Sequence, residues 1–293
     1  MEYFIQVVIT GLLVGGVYAL LALGFVLINK ATGILNMAQG GMVALGAYVC
    51  FGFAVQLGLH FVLSVFAALL LSVFLGIIVS KIFFRPMIGQ PIFSALMMTM
   101  ALFMILEGIT ISLWGANLRR YPQILPSKPL ILGGIVIPYD MLAAFGVAII
   151  LMIVFILFFR YSHYGTKIRA VADDQAAAQA AGIRVRQIFE VSWGLGNMIA
   201  ALGGIALGLI TMVSPALSFY GMKVLPVVIL GGLESTTGAI VGGIIIGLLE
   251  GLAGGYLEMN LTGTQEVAPF FFLILFLLIK PHGLFGQKRI ERI

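Results

Sequence analysis

Gly11-Leu12-Leu13-Val14-Gly15-Gly16-Val17-Tyr18-Ala19-Leu20-Leu21-Ala22-Leu23-Gly24 sits inside a run from residue 4 to residue 28 that contains no charged side chain. About 20 mostly apolar residues cross the hydrocarbon core of a bilayer, so this run is long enough to span one. Further apolar runs lie near 36–57, 61–84, 92–114, 141–159, 189–213, 222–256 and 265–279. Of the 293 residues 61% are hydrophobic and 9% charged, with mean hydropathy +1.16, whereas soluble domains carry roughly 25% charged residues. A soluble enzyme is excluded. The fold class expected is an all-α polytopic integral membrane protein, one transmembrane domain over residues 1–293. The first run has Glu2 before it and Lys30 after it, with neither a basic leader nor a small-residue cleavage site, and reads as a retained span.

Lys30, then Lys81 and Arg85, then Arg160, Lys167, Arg169, Arg184 and Arg186 fall in alternate connections. The positive-inside bias puts those connections in the cytoplasm and the N-terminus outside. Two features strain that scheme. The external loop, about 115–140, carries Arg119, Arg120 and Lys128, and the tail with Lys280, Lys288, Arg289 and Arg292 must end inside. An inside tail needs an even number of crossings after residue 187, which the last runs supply only if 222–256 is broken in two. Gly231-Gly232-Leu233-Glu234-Ser235-Thr236-Thr237-Gly238 offers the break, giving about 8–9 segments, some broken or re-entrant. Irregular backbone at membrane depth is tolerated only inside protein or along a water-filled path, so the break is expected to line a path. Asn36-Met37-Ala38-Gln39-Gly40-Gly41 repeats the pattern early. Either the two halves form an inverted repeat, or glycine-rich membrane helices are alike by composition alone.

The net charge of +5 on so few charges fits loops meeting lipid headgroups and not a nucleic-acid footprint. One cysteine, Cys50, excludes an internal disulfide, and His60, His163 and His282 lie far apart, so no metal site is expected. No G-x-x-x-x-G-K-[ST] loop occurs, and no triad or carboxylate pair stands in a soluble stretch. No catalytic residue is assigned. The stretch about 160–187 is the largest soluble one. Asp173 or Asp174 can cap a short alanine-rich helix that ends at Gly182. So short a helix needs a surface, either lipid or protein, and Lys167 and Arg169 suit both. Gly11 with Gly15, Gly204 with Gly208, Gly238 with Gly242, and Gly243, Gly247, Gly251 and Gly255 have the spacing of close helix packing. Glu107 and Glu250 are carboxylates inside apolar runs, which marks a functional site or a carboxylate satisfied at a helix junction.

Gly11 to Gly24, Gly33-Ile34-Leu35-Asn36-Met37-Ala38-Gln39-Gly40, Gly46-Ala47-Tyr48, Lys167 to Asp174 through Ala181-Gly182-Ile183, Leu230 to Gly243, and Lys280-Pro281-His282-Gly283-Leu284-Phe285-Gly286 together resemble LivH-type permease subunits of branched-chain amino acid ABC importers. The resemblance covers almost the whole chain. Gln39, Thr237 and His282 depart from the family's usual His, Pro and Thr. Permeases for urea, short amides and other amino acids share these segments, so the substrate side chain stays open. The resemblance implies several partners besides the bilayer. These are a paralogous LivM-like permease, two cytoplasmic ABC ATPase subunits that hold the ATP and Mg, and an external periplasmic binding protein. It also implies a bacterial inner-membrane location. On this reading Lys167, Arg169, Asp173, Asp174, Ala177, Ala178 and Gly182 form the ATPase-coupling loop. Asn36, Gln39, Gly40, Gly231, Gly232, Ser235 and Glu250 are path candidates, and Arg119, Arg120 and Lys128 are docking candidates for the binding protein. The rivals are an ion-coupled secondary transporter working through Glu107 or Glu250, and a passive channel.

Overall fold

The computed structural model describes residues 1–259 and 261–286; Lys288, Arg289 and Arg292 lie outside them. Among the described residues seven helical segments are long and apolar enough to cross a membrane. They are α1 (Glu2–Thr32), α2 (Gln39–Phe51, continued by a π-helical turn to Gln56), α3 (Phe61–Val79, continued to Met87), α4 (Ile92–Trp114), α5 (Tyr139–Tyr161), α8 (Val185–Thr211) and α11 (Thr236–Tyr256). Shorter apolar helices are α9 (Leu217–Met222) with α10 (Val224–Gly231), and α12 (Thr264–Ile279). Between α5 and α8 lie α6 (His163–Asp173) and α7 (Gln175–Ala180).

The long helices sort by burial. Helices α1, α2 and α8 are buried on nearly every side, whereas α3, α4 and α5 bury one narrow stripe each, such as Ala95, Thr99, Leu102, Leu106 and Thr110 of α4. The buried helices are therefore ringed by helices whose remaining faces are apolar and open to lipid or to a partner.

What brings the central helices close is glycine. A Cβ on Gly11 would stand 2.8 Å from the Gly247 carbonyl oxygen, and one on Gly15 would stand 2.8 Å from that of Gly243. Farther out, the Tyr3 hydroxyl donates to the Gly255 carbonyl at 2.6 Å. As numbers rise along α1 they fall along α11, so the pair is antiparallel. The second central helix repeats the arrangement. On α8, the Asn197 amide donates to the Ser72 carbonyl of α3 at 2.7 Å, Gly76 lies against Trp193 and Gly194, and Lys81 pairs with Glu190 at 3.6 Å. Helices α1 and α8 are themselves antiparallel, with Leu21 beside Gly203 and Gly24 beside Gly196. The packing of α1, α2, α3 and α4 thus recurs, with its sense reversed, in α8, α9 with α10, α11 and α12. The two halves meet where Gly221 of α9 approaches the Cα of Gly40 at 2.5 Å from an added Cβ. Of the two readings that the sequence left open, the packing favours the inverted repeat.

Basic residues gather at one end. The Lys30 ammonium lies 5.3 Å from the Phe159 ring, Arg85, Arg184 and Arg186 line one groove, and the Asn29 amide donates to the Leu233 carbonyl. The opposite end carries an addition to the all-α expectation, a hairpin of β1 (Leu130–Leu132) and β2 (Ile135–Ile137). Gly133 and Gly134 both have positive φ, which a two-residue hairpin turn requires. The Gln6 amide clamps the hairpin to α1, donating to the Val136 carbonyl and accepting from its N–H, each at 2.7 Å. At the same end Glu258 caps α12, accepting from the N–H groups of Gln265 and Gly263, which hold its carboxyl below the usual range.

The seam gives a direct test. Gly247→Ala would drive a methyl into the backbone of Gly15 and Gly11 and is expected to cost about 1–3 kcal/mol or more, as overpacking does. Gly146→Ala, which meets nothing within 4 Å, should be neutral. Thermal unfolding of the detergent-solubilised chain reads both, and equal melting temperatures would contradict the close seam.

Candidate functional site

The first break in the chain lies deep in the bundle. Gln39, at the start of α2, reaches the Leu21 carbonyl at 3.5 Å, although α1 continues for eleven more residues to Thr32. At about 1.5 Å per residue that is about 16 Å of helix. The chain turns at Gly33, φ +71°, runs back into the bundle as 33–38, and starts α2 there. The buried polar groups are satisfied locally. Asn36, fully buried, accepts from the Ala38 N–H at 3.1 Å and donates to Gln39 Oε1 at 3.0 Å, while Thr99 of α4 donates to the Leu35 carbonyl at 3.3 Å. Gly40 packs on the Ser218 carbonyl of α9, and the Ser218 hydroxyl donates to Glu107 Oε1 at 3.4 Å and to the Pro215 carbonyl at 2.7 Å. Asn36, Gln39, Gly40, Ser218 and Glu107 therefore form one polar seam inside an apolar body.

The second break is placed differently from the expectation. Gly231 and Gly238 close a tight antiparallel turn between α10 and α11, and Ser235 caps α11 by accepting from the Gly238 N–H at 3.0 Å. The turn sits beside Asn29 at the basic end, and residues 283–286 cover it through N–H donations from Leu284 to Leu230 and from Phe285 to Gly231. Gly231, Gly232 and Ser235 therefore do not line a path at membrane depth. Glycine lets two helices turn tightly at the bundle's edge, which the sequence pattern alone does not distinguish from a break in its middle.

Glu250 is buried, and so is a residue that sequence reasoning passed over. Lys223, at the junction of α9 and α10, donates to Glu250 Oε1 at 2.6 Å, with 6% and 3% of the two residues exposed. Its ammonium also lies 4.8 Å from the Tyr220 ring centroid. A lysine at the head of a long apolar run must find a counter-charge, and that was the available signal. The pairing deprives an ion-coupled mechanism of a lone carboxylate at Glu250. Among the described residues no three His, Cys, Asp or Glu side chains gather as a metal site would require.

The soluble element holds two helices where one was expected. Ser162 caps α6, which buries Ile168 and Val171, and the Arg169 guanidinium folds back on the Phe159 carbonyl and ring. Asp174, not Asp173, caps α7, accepting from Ala176 and Ala177 at 2.8 and 3.0 Å, and Gly182 at φ +81° ends it. Ala178 faces inward and is buried, whereas Asp173, Asp174, Ala177 and Lys167 are exposed. Beside α7 a groove of about 610 Å³ is lined by Arg85, Arg184, Arg186 and Glu190.

At the hairpin end, Arg119 is engaged within the chain. Its backbone pairs with Val213 at 2.8 and 2.9 Å, and its guanidinium donates to the Trp114 carbonyl and lies over the Phe51 ring. Tyr121 is buried, donating to the Ala47 carbonyl at 2.9 Å, and burial holds its hydroxyl well above the usual phenol range. Arg120 and Lys128 are exposed.

Residues 7–280 match the family described as branched-chain amino acid transport system, permease component. The chain is 27% identical over 307 residues to the high-affinity branched-chain amino acid transport system permease protein BraD of Pseudomonas aeruginosa, covering 99% of this chain and 98% of that one. It is 28% identical over 306 residues to the corresponding LivH protein of Escherichia coli K12, with the same coverage. With the probable LivH permease of Methanocaldococcus jannaschii it shares 28% over 291 residues, covering 94% and 90%.

The buried pair makes a prediction about stability. Lys223→Met alone strands the Glu250 carboxylate in the bundle and should destabilise the chain by about 3–5 kcal/mol, whereas Lys223→Met with Glu250→Leu should be near neutral. Thermal unfolding in detergent separates the two, and equal losses would show that the charges do not depend on each other.

Proposed function

The chain belongs to the branched-chain amino acid transport system permease family, and from that premise we propose that it is the membrane subunit of an ABC importer. It would carry small amino acids with apolar side chains inward across the bacterial inner membrane. The observation that carries this reading is the exposed α6–α7 element, held rigid by the Ser162 and Asp174 caps at the end where the basic residues gather. A chain without a phosphate-binding loop needs a motor elsewhere, and a short capped helix standing outside the bundle is a surface on which one can act.

Two cytoplasmic ATPase subunits holding ATP and Mg would dock on Asp173, Asp174, Ala177 and the arginine-lined groove. Lys167 stands at the rim of that surface. Arg169 and Ala178 hold its shape from within, and Gly182 ends α7. A paralogous permease would cover the open apolar faces of the ring helices. An external binding protein would deliver substrate to the hairpin end, where Arg120 and Lys128 are positioned to meet acidic residues and Arg119 fixes the loop that carries them. The polar seam of Asn36, Gln39, Gly40 and Ser218 would flank the path. The relatives' names favour branched-chain amino acids over urea or short amides.

Ala177→Glu puts a bulky charge on the outward face of α7 without touching the bundle. Assembly with the ATPases, or the coupling of their hydrolysis to uptake, should fall at least about tenfold, the loss of one close-packed contact of about 1.4 kcal/mol. Co-purification and uptake in proteoliposomes read the two effects. Wild-type uptake by this variant would count against docking at α7.

A further inference from the structure

Lys223 and Glu250 are the described intramembrane residues that bring full opposite charges together deep in the bundle, and the ordinary reasons for such a pair do not account for them. The other described ion pair, Lys81 with Glu190, lies at the basic end, where the Lys81 side chain is half exposed. Replacing a buried pair by well-packed apolar residues is often neutral or stabilising. The glycine seam already holds α11, and Gly40 with Gly221 already holds α9, so a further tie is not required for packing. The pair is also incompletely satisfied. The hydroxyl of Tyr18, a fully buried residue of α1, faces the Glu250 carboxylate, yet neither it nor Glu250 Oε2 has a hydrogen-bond partner within ordinary distance among the described residues.

We propose that Lys223, Glu250 and Tyr18 form the site that recognises the charged head group of the transported amino acid, which rests on the amino acid import reading above. A zwitterion carries one carboxylate and one ammonium a few ångströms apart, the complement of this pair. On binding, the Lys223 ammonium exchanges Glu250 for the substrate carboxylate, and the Glu250 carboxylate exchanges Lys223 for the substrate ammonium. No net charge enters the membrane, and neither protein charge is left alone. The Tyr18 hydroxyl can donate to the substrate carboxylate, and Glu250 Oε2 can accept from the substrate ammonium, so both unmet groups gain a partner. A solute with one charge or none would have to leave either Lys223 or Glu250 unpaired in the bundle, which penalises it. Val224, next to Lys223 in the chain, and Ile246, one helical turn before Glu250 on α11, are buried and would offer an apolar wall to the substrate side chain. Half-buried Tyr220 lays its ring against the Lys223 ammonium. Lys223 sits at the junction between two short helices, the kind of discontinuity at which transporters place their substrate sites.

The test uses the assembled transporter in proteoliposomes with saturating binding protein loaded with radiolabelled leucine. Tyr18→Phe removes only an unpartnered hydroxyl and should not impair folding. It is expected to lower the uptake rate about tenfold, the loss of a hydrogen bond to a charged group. The swapped pair, Lys223→Glu with Glu250→Lys, keeps an ion pair but reverses its poles relative to Tyr18 and the apolar wall, and uptake should stay below about a tenth of wild type. Assembly of each variant is checked by co-purification. A swapped-pair complex that carries leucine within twofold of wild type would show that the pair is only a structural tie and would overturn the proposal. So would a Tyr18→Phe complex with unchanged uptake. Failure of the wild-type complex to carry leucine would instead overturn the import reading, and the wild-type arm of the same assay shows it separately.

Discussion

Everything in this bundle depends on two helix backbones coming closer than side chains permit. Water cannot drive helices together inside a bilayer, so packing must, and at the α1–α11 contact that packing is backbone on backbone at Gly11, Gly15, Gly243 and Gly247. With α1 held this way, and α8 held on α3 by Gly76 and Asn197, two antiparallel helices become the fixed centre of two inverted halves. The ring helices need only one buried stripe each and can leave their other faces to lipid or to a second subunit.

That fixed centre is what makes irregular backbone affordable in the interior. The segment 33–38 and the junction at Lys223 interrupt helices inside the bundle, where unpaired peptide groups cost several kcal/mol each. The neighbouring packed helices supply the partners, with Thr99 meeting the Leu35 carbonyl and Asn36 closing its own turn. Polar chemistry is therefore concentrated where the two halves touch, at Gln39, Ser218, Lys223 and Glu250, while the soluble element with α6 and α7 stands at the basic end. A capped lever outside the bundle and a polar seam within it are the two parts that a coupled transporter requires.

The spans, the basic end and the break at 231–236 were legible in sequence because charge and apolar run length act locally. The caps at Asp174 and Gly182 were legible for the same reason. Depth was not. A Gly-rich break reads the same at the edge of a bundle, as at Gly232, and in its middle, as at Gly40, because the difference lies in which helix stands beside it. The partner of Glu250 is 27 residues away in sequence, and only the turn of α10 against α11 brings the two together. Arg119 is exposed as expected, but its pairing with Val213 was hidden because it is a contact between two distant loops. The hairpin after Pro129 escaped notice since three-residue strands carry too little periodicity to register against a loop.

The central claim is that two halves of opposite sense share one glycine-packed centre, and sidedness tests it most directly. Cys50 is buried, so single cysteines introduced at exposed positions can be read against a low background. Glu2→Cys and Asn117→Cys should react with a membrane-impermeant maleimide on intact cells, and Ala176→Cys and Leu233→Cys only after the membrane is opened. Labelling of Leu233→Cys from outside the intact cell would place the α10–α11 turn on the wrong face and contradict the inverted arrangement.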